Sequence, residues 1–356
     1  MTDTASSPYR FQLTRALRRA RRLDGLGAAR VAMVILVAWH VLALALVAAA
    51  TYAVVDPLAT GGSLTALSVV MIVLALLALL SIRPRWRPFV EPGPRLIRGE
   101  QPELFAALDE ATSVVAVAPY NHVYVDSSAH GRVLQRGGIL GFGAKPAIAI
   151  GVALLQTMSV EHLKVLAAHE GVRYFSSDYK FAALVERTRA RLRAVLDETT
   201  GGSGGLTSLP FRLLAGLFLK TTAQLSCELQ IAADDLVAGA IGRRPTAELL
   251  KMRPGMPAVL DAYGKIYKGA DGPRFEEYVV SDEASRTLAF ARFRQSEAAT
   301  ANGGEVPVEE RLVRLQPSPN DSRRFDERPA GLLVRKFDVL AARQMADRFA
   351  HRLVRA

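Results

Sequence analysis

Two long apolar runs dominate the hydrophobic pattern near the N-terminus. Residues 31–55 contain no Asp, Glu, Lys or Arg, and residues 57–82 contain none either. Each is long enough to cross a bilayer as a helix, which takes about 20 apolar residues. The breakers Asp56, Pro57, Gly61 and Gly62 between them predict a helical hairpin spanning 31–82. The first run starts too late and runs too long for a cleaved leader, and it lacks a small-residue exit.

Beyond the hairpin the pattern shortens and alternates. Residues 83–94, R-P-R-W-R-P-F-V-E-P-G-P, hold four prolines and read as a stiff juxtamembrane linker. Residues 102–115 predict an amphipathic helix with Pro102 in its first turn. His122–Asp126 alternates like a strand. Ala147–Gly151 is a short apolar run of the same kind, with turns at Gly131, Gly137, Gly138, Gly141 and Gly143 between them. Ser159 predicts the cap of a helix over 159–173, with Glu161 in its first turn. A further helix is expected over 178–198, with Ser176, Ser177 and Asp178 at its start. A flexible Thr199–Gly205 loop follows, then one long helix over 207–240, buried or at the membrane surface. A Gly- and Pro-containing loop near 301–307 precedes a last amphipathic helix over 336–355. No internal repeat is visible.

Charge gives these elements an orientation. Seven arginines lie in residues 1–30, and Arg83, Arg85 and Arg87 follow the second run, whereas the turn between the runs has no basic residue. Basic flanks stay in the cytoplasm, so both termini and the main domain are expected there, at the inner or cytoplasmic membrane. The net charge of +11 then reads as topology plus attraction to anionic lipid. Nucleic-acid binding is not expected, because no zinc knuckle or aromatic-interleaved basic run is present. The single Cys227 excludes an intramolecular disulfide and is expected in the core.

The candidate chemistry lies in residues 165–173, V-L-A-A-H-E-G-V-R. A zinc peptidase helix carries H-E-x-x-H. Residues four apart share a helix face, so two imidazoles hold one Zn²⁺ while the glutamate acts as general base. Here His169 and Glu170 are present, but Arg173 stands at the second histidine. A guanidinium has no lone pair to give a metal and stays protonated.

Two N-terminal spans, P-E-L-F-A-A-L-D-E-A, a short sheet and S-V-E-H-L-K-V-L-A-A-H-E together resemble the membrane-bound zinc metallopeptidases of the HtpX and CAAX prenyl protease type. The likeness covers about 95–240. It continues weakly in 306–315, V-P-V-E-E-R-L-V-R-L, which looks like that family's H-P-x-x-x-x-R-I-x-x-L stretch. It implies a mostly α fold with a small β-sheet, an α+β zincin-like, gluzincin-like domain over 95–250. A mainly helical extension over 251–356 would follow, and the transmembrane hairpin would precede it. Carried over, His169 matches the first zinc ligand and Glu170 the general base. Ala232, in A-A-D-D-L-V-A, stands where the family has a glutamate ligand, and Asp234 matches an acid supporting the site from behind. Two of three ligands are therefore replaced, and the family's L-G has become Gly171 and Val172.

Glu228, one turn before Ala232, is the candidate substitute ligand, although one turn is about 5.4 Å. His162 lies two turns before His169. His130 is expected on a surface loop, His122 at a strand start and His40 against the hairpin partner. The G-F-G-A-K-P stretch at 141–146 lacks the ending of a phosphate loop, and there is no G-x-S-x-G. One reading of Arg173 is an Arg173–Glu170–Asp234 ion cluster that replaces zinc as a cross-link. The other is a solvated end-of-helix arginine. The function expected is a membrane-anchored pseudopeptidase that needs no cofactor. Its partners would be the lipid bilayer and a protein or peptide in the former cleft, gripped by strand addition. The alternative is a working zinc endopeptidase with an unusual ligand set, acting on membrane or misfolded proteins.

Overall fold

The computed structural model describes residues 23–61, 63, 65–82, 89–136, 143, 145–198, 209–267, 274–302, 305–315 and 326–353. The N-terminal arm, most of the Pro-rich linker before Phe89, and the Thr199–Gly205 loop lie outside these residues. So do residues 141, 142 and 144 of the G-F-G-A-K-P stretch and residues 303 and 304 of the 301–307 loop. The chain divides into two units that are not contiguous in sequence. One comprises Asp24–Pro88 and Val185–Leu225; the other comprises Met1–Leu23, Phe89–Leu184 and Ser226–Ala356.

In the first unit, α1 spans Leu26–Thr60 and α2 spans Ala66–Ile82. α1 runs straight through Asp56 and Pro57, which the sequence had put in the turn. It stops at Gly61, whose φ of 73° is the left-handed conformation that glycine adopts without a Cβ penalty. The face of α1 turned inward is built from Met33, Leu36 and four alanines, Ala29, Ala32, Ala43 and Ala50, whose small side chains let a neighbouring helix approach closely. The outward face carries Val31, Val34, Val41, Leu42, Leu44 and Tyr52, all more than half exposed. By length and composition α1 is the one described helix able to cross a membrane; α2 is 17 residues long. His40 is half-buried, and its Nδ1–H reaches the Leu36 carbonyl of its own helix at 2.7 Å.

The predicted 207–240 helix is two helices, α7 (Leu209–Thr221) and α8 (Ala223–Ala240), preceded by α6 (Lys180–Glu198). The break falls at Thr222. Its hydroxyl donates to the Phe218 carbonyl at 2.7 Å, a bond that competes with the helix ladder. Thr222 also accepts from the buried Arg189, whose Nη1 reaches Oγ1 at 2.5 Å and the Leu219 carbonyl at 2.6 Å.

The second unit is mostly helical around a four-stranded mixed sheet. The strands are β1 (Arg95–Leu96), β2 (His122–Asp126), β3 (Gly131–Arg136) and β4 (Lys145–Gly151), in the order β1-β2-β4-β3. β2 and β4 run parallel, with His122 beside Ala147, while β3 returns antiparallel with Arg136 beside Lys145. One face of the sheet, Val123, Val125, Ile148 and Ile150, joins the core with Leu104, Phe105 and Leu108 of α3 (Pro102–Val114). Leu163, Leu166 and Ala167 of α5 (Val160–Phe175) complete that layer. β3 was not foreseen, because its glycine-flanked, half-polar sequence reads as a turn. Gly131 is needed there: a Cβ would stand 2.4 Å from Leu166 Cδ2, so glycine lets α5 lie against the strand.

The short α4 (Val152–Thr157) leads into α5. Downstream, α9 (Arg243–Met252), α10 (Met256–Ile266), α11 (Phe275–Val279), α12 (Asp282–Asn302) and α13 (Val308–Arg314) cover this core. A 3₁₀ turn at Ala330–Leu333 and α14 (Phe337–Leu353) follow.

Candidate functional site

The site is assembled by α5 and α8. Ser159 caps α5 as expected, its Oγ accepting from the His162 amide at 3.2 Å. His162 closes the box by accepting the Ser159 amide on Nδ1 at 3.3 Å. Its Nε2 meets Glu248 of α9 at 3.2 Å, so His162 serves the helix start and not a metal shared with His169. In the middle of α5 the Tyr120 hydroxyl donates to the Ala167 carbonyl at 2.7 Å, fixing the turn that carries His169 and Glu170. Burial, then the charge of Glu170, pushes the Tyr120 phenol well above its ordinary range. Gly171 faces Val117 Cγ1 and Tyr120 Oη, which a Cβ would meet at 3.1 and 3.3 Å.

His169, Glu170 and Asp234 come together as the sequence suggested, all at most 4% exposed. His169 Nδ1 lies 3.4 Å from Glu170 Oε1, and its Nε2 lies 3.2 Å from Asp234 Oδ1. Each acid also has a guanidinium that sequence reasoning did not single out. Arg253 Nη1 sits 2.7 Å from Glu170 Oε1, and Arg253 Nη2 donates to the Gly131 carbonyl at 3.1 Å. Arg311 grips Asp234 with two bonds, Nε to Oδ2 at 2.6 Å and Nη2 to Oδ1 at 2.7 Å. Its Nη2 is also 3.3 Å from His169 Nε2. A proton on Nδ1 lets the imidazole donate to Glu170 and accept from Arg311, whereas a proton on Nε2 lets it donate to Asp234.

The electrostatics follow from this crowding. Burial pushes the Glu170 carboxyl up, but Arg253, the His169 hydrogen bond and the charge of Arg173 together hold it well below the usual carboxylate range. Burial likewise pushes Asp234 up, and Arg311 and His169 overcome it, leaving Asp234 well below its usual range. Arg173 is 8% exposed, which removes the solvated end-of-helix reading; its guanidinium lies 5.6 Å from the Tyr174 ring. The expected Arg173–Glu170–Asp234 cluster needs correction in one respect. The direct cations of the two acids are Arg253 and Arg311, while Arg173 acts on Glu170 through its charge.

Ala232 is buried on α8 and Glu228 is half-buried one turn earlier. Cys227, expected in the core, is half-buried. His130 is exposed, as expected, and His122 opens β2 with Nε2 3.1 Å from Arg136 Nη1. A zinc ion needs lone pairs from its ligands at about 2.0–2.3 Å. Arg173 and Ala232 offer none, and the His169 nitrogens point at Glu170, Asp234 and Arg311. The residues present therefore do not fit the family's zinc.

Arg311 carried a weak signal, because it lies in the V-P-V-E-E-R-L stretch. Arg253 carried none: it closes the C-terminal end of α9 and reaches Glu170 only through the tertiary fold. Comparison of the chain with protein-family models, with curated proteins and with solved structures found no match.

Proposed function

We propose that this chain is a membrane-anchored, HtpX-like pseudopeptidase that binds membrane or protein partners instead of cleaving them. The observation that carries the reading is the Arg253–Glu170 pair. A general base works best with a pKa near the operating pH, and a carboxylate clamped by arginine far below that range is a weak base. The Arg311–Asp234 pair supports it further, because a buried acid needs a cation and here the chain supplies its own.

The zincin-like character of the domain, the transmembrane hairpin, and a cytoplasmic placement of both termini belong to the same proposal. Their support is the apolar outward face of α1, the arginine flanks and the meeting of α5 with α8. A second reading, an active zinc endopeptidase, is favoured by one observation: His169, Glu170 and Asp234 still converge.

Peptidase assays on an unfolded protein separate the two, using the full chain with zinc supplied. The first reading expects no cleavage by the wild chain, and zinc uptake only in a variant that regains ligands, Arg173→His/Ala232→Glu. Cleavage by the wild chain that disappears in Glu170→Gln would establish the second reading.

A further inference from the structure

The sheet face turned away from the core carries a run of basic residues that the site does not use. Cross-strand partners share a face, so Arg95, His122, Tyr124, Lys145, Ala147, Leu134 and Arg136 lie together there. Arg136 and Lys145 stand directly opposite one another, a like-charge pairing that weakens a sheet unless an anion compensates. Among the described residues no acid forms an ion pair with Arg95, Arg136 or Lys145, and Glu91 is the nearby carboxylate, accepting from the Tyr124 hydroxyl at 3.3 Å.

His122 reports the same field. Burial, then Arg95 and Arg136, pull its pKa down, with Glu91 opposing and Lys145 adding to the fall. Its Nε2 accepts from Arg136, which leaves the proton on Nδ1. That Nδ1 is shielded from solvent and has no hydrogen-bond partner among the described residues. Beside the cations, Phe89 stacks 5.8 Å from Tyr124 and 5.7 Å from the Arg136 guanidinium, while Val90 and Ile97 are 78% and 54% exposed. Tyr124 is buried, but cations beside the exposed Val90 and Ile97 and the half-buried Phe89 suit a lipid–water interface. Phe89 follows the apolar helix α2 by only six residues, 83–88.

We infer that this basic sheet face, built from Arg95, His122, Arg136 and Lys145 with Phe89, docks on the phosphates of anionic phospholipid headgroups. It rests on the membrane reading above, and it adds a second, electrostatic attachment to the apolar one.

The test places the full chain in nanodiscs of neutral phosphatidylcholine or of phosphatidylcholine with phosphatidylglycerol. It follows the rate at which a water-soluble amine reagent modifies Lys145, with exposed Lys265 as reference. The expected result is a rate at Lys145 at least about fivefold slower in the anionic discs, the factor one basic residue contributes near such a surface, with Lys265 unchanged. Arg95→Gln/Arg136→Gln removes that protection. Retention in neutral discs with equal Lys145 rates in both overturns the docking alone. Loss from neutral discs with Lys145 still protected in anionic ones overturns the span and leaves the docking standing, and no association with either overturns both. Protection by a short single-stranded RNA but not by phosphatidylglycerol would assign the face to nucleic acid and overturn the inference.

Discussion

Arg311 and Asp234 are a buried pair with two short bonds, and the cost of separating them tests the picture residue by residue. Removing one partner strands the other charge in the interior, so Arg311→Met is expected to destabilise the second unit by about 3–5 kcal/mol. The apolar double variant Arg311→Met/Asp234→Leu is expected to recover most of that loss, because well-packed hydrophobic residues often replace a buried pair without penalty. Urea unfolding of the full chain, read by near-ultraviolet dichroism of tyrosine, measures both; a single variant costing under about 1 kcal/mol would sink the pairing.

The same residues set a pH dependence. Glu170 and Asp234 are held below their ordinary values of 4.5 and 3.8, so the folded state binds fewer protons than the unfolded one. Their contribution is therefore complete above about pH 5 and is lost as pH falls through the acid range below that. The urea midpoint of the wild chain is expected to fall between pH 5 and 3, and that of the apolar double variant to fall less. Equal slopes would contradict the electrostatic origin.

Among the elements, α5 was the most legible from sequence, for reasons that are local. Ser159 before an apolar run and Glu161 in the first turn are cap chemistry, and the cap formed where expected; Ser159→Ala should weaken the helix by about 1 kcal/mol, measured by the same unfolding. An unchanged midpoint would mean that the 326–330 segment, whose carbonyls accept from the Val160 and Glu161 amides, holds the helix start alone. β2 was legible because alternation is also local. β3 was not, since its apolar side chains are few and its pairing with β4 depends on residues nine to nineteen positions away. The division of 207–240 escaped notice because it turns on one threonine whose hydroxyl bonds Phe218 and Arg189. In the site, His169, Glu170 and Asp234 were legible as a motif. Arg253 was not, because nothing near it in the chain marks a residue that crosses the domain to meet Glu170.

At the scale of the molecule, two units are threaded through one another in sequence, the chain leaving the sheet domain inside α6 and rejoining it inside α8. The first unit exposes an apolar helix face that water would not stabilise, which is the physical ground for reading it as membrane-embedded. Extraction of native membranes with alkaline carbonate is expected to leave the chain in the pellet, and release into the supernatant would refute the span. The sheet domain holds a buried acidic centre that is neutralised by its own arginines.

That neutralisation is tested most directly by elemental analysis of the full chain, purified in detergent without chelator and dialysed against trace zinc. The account predicts well under one-tenth of an equivalent of zinc in the wild chain. One tightly held equivalent, lost in His169→Ala and retained in Lys265→Ala, would contradict it and return Glu170 to the role of a working base.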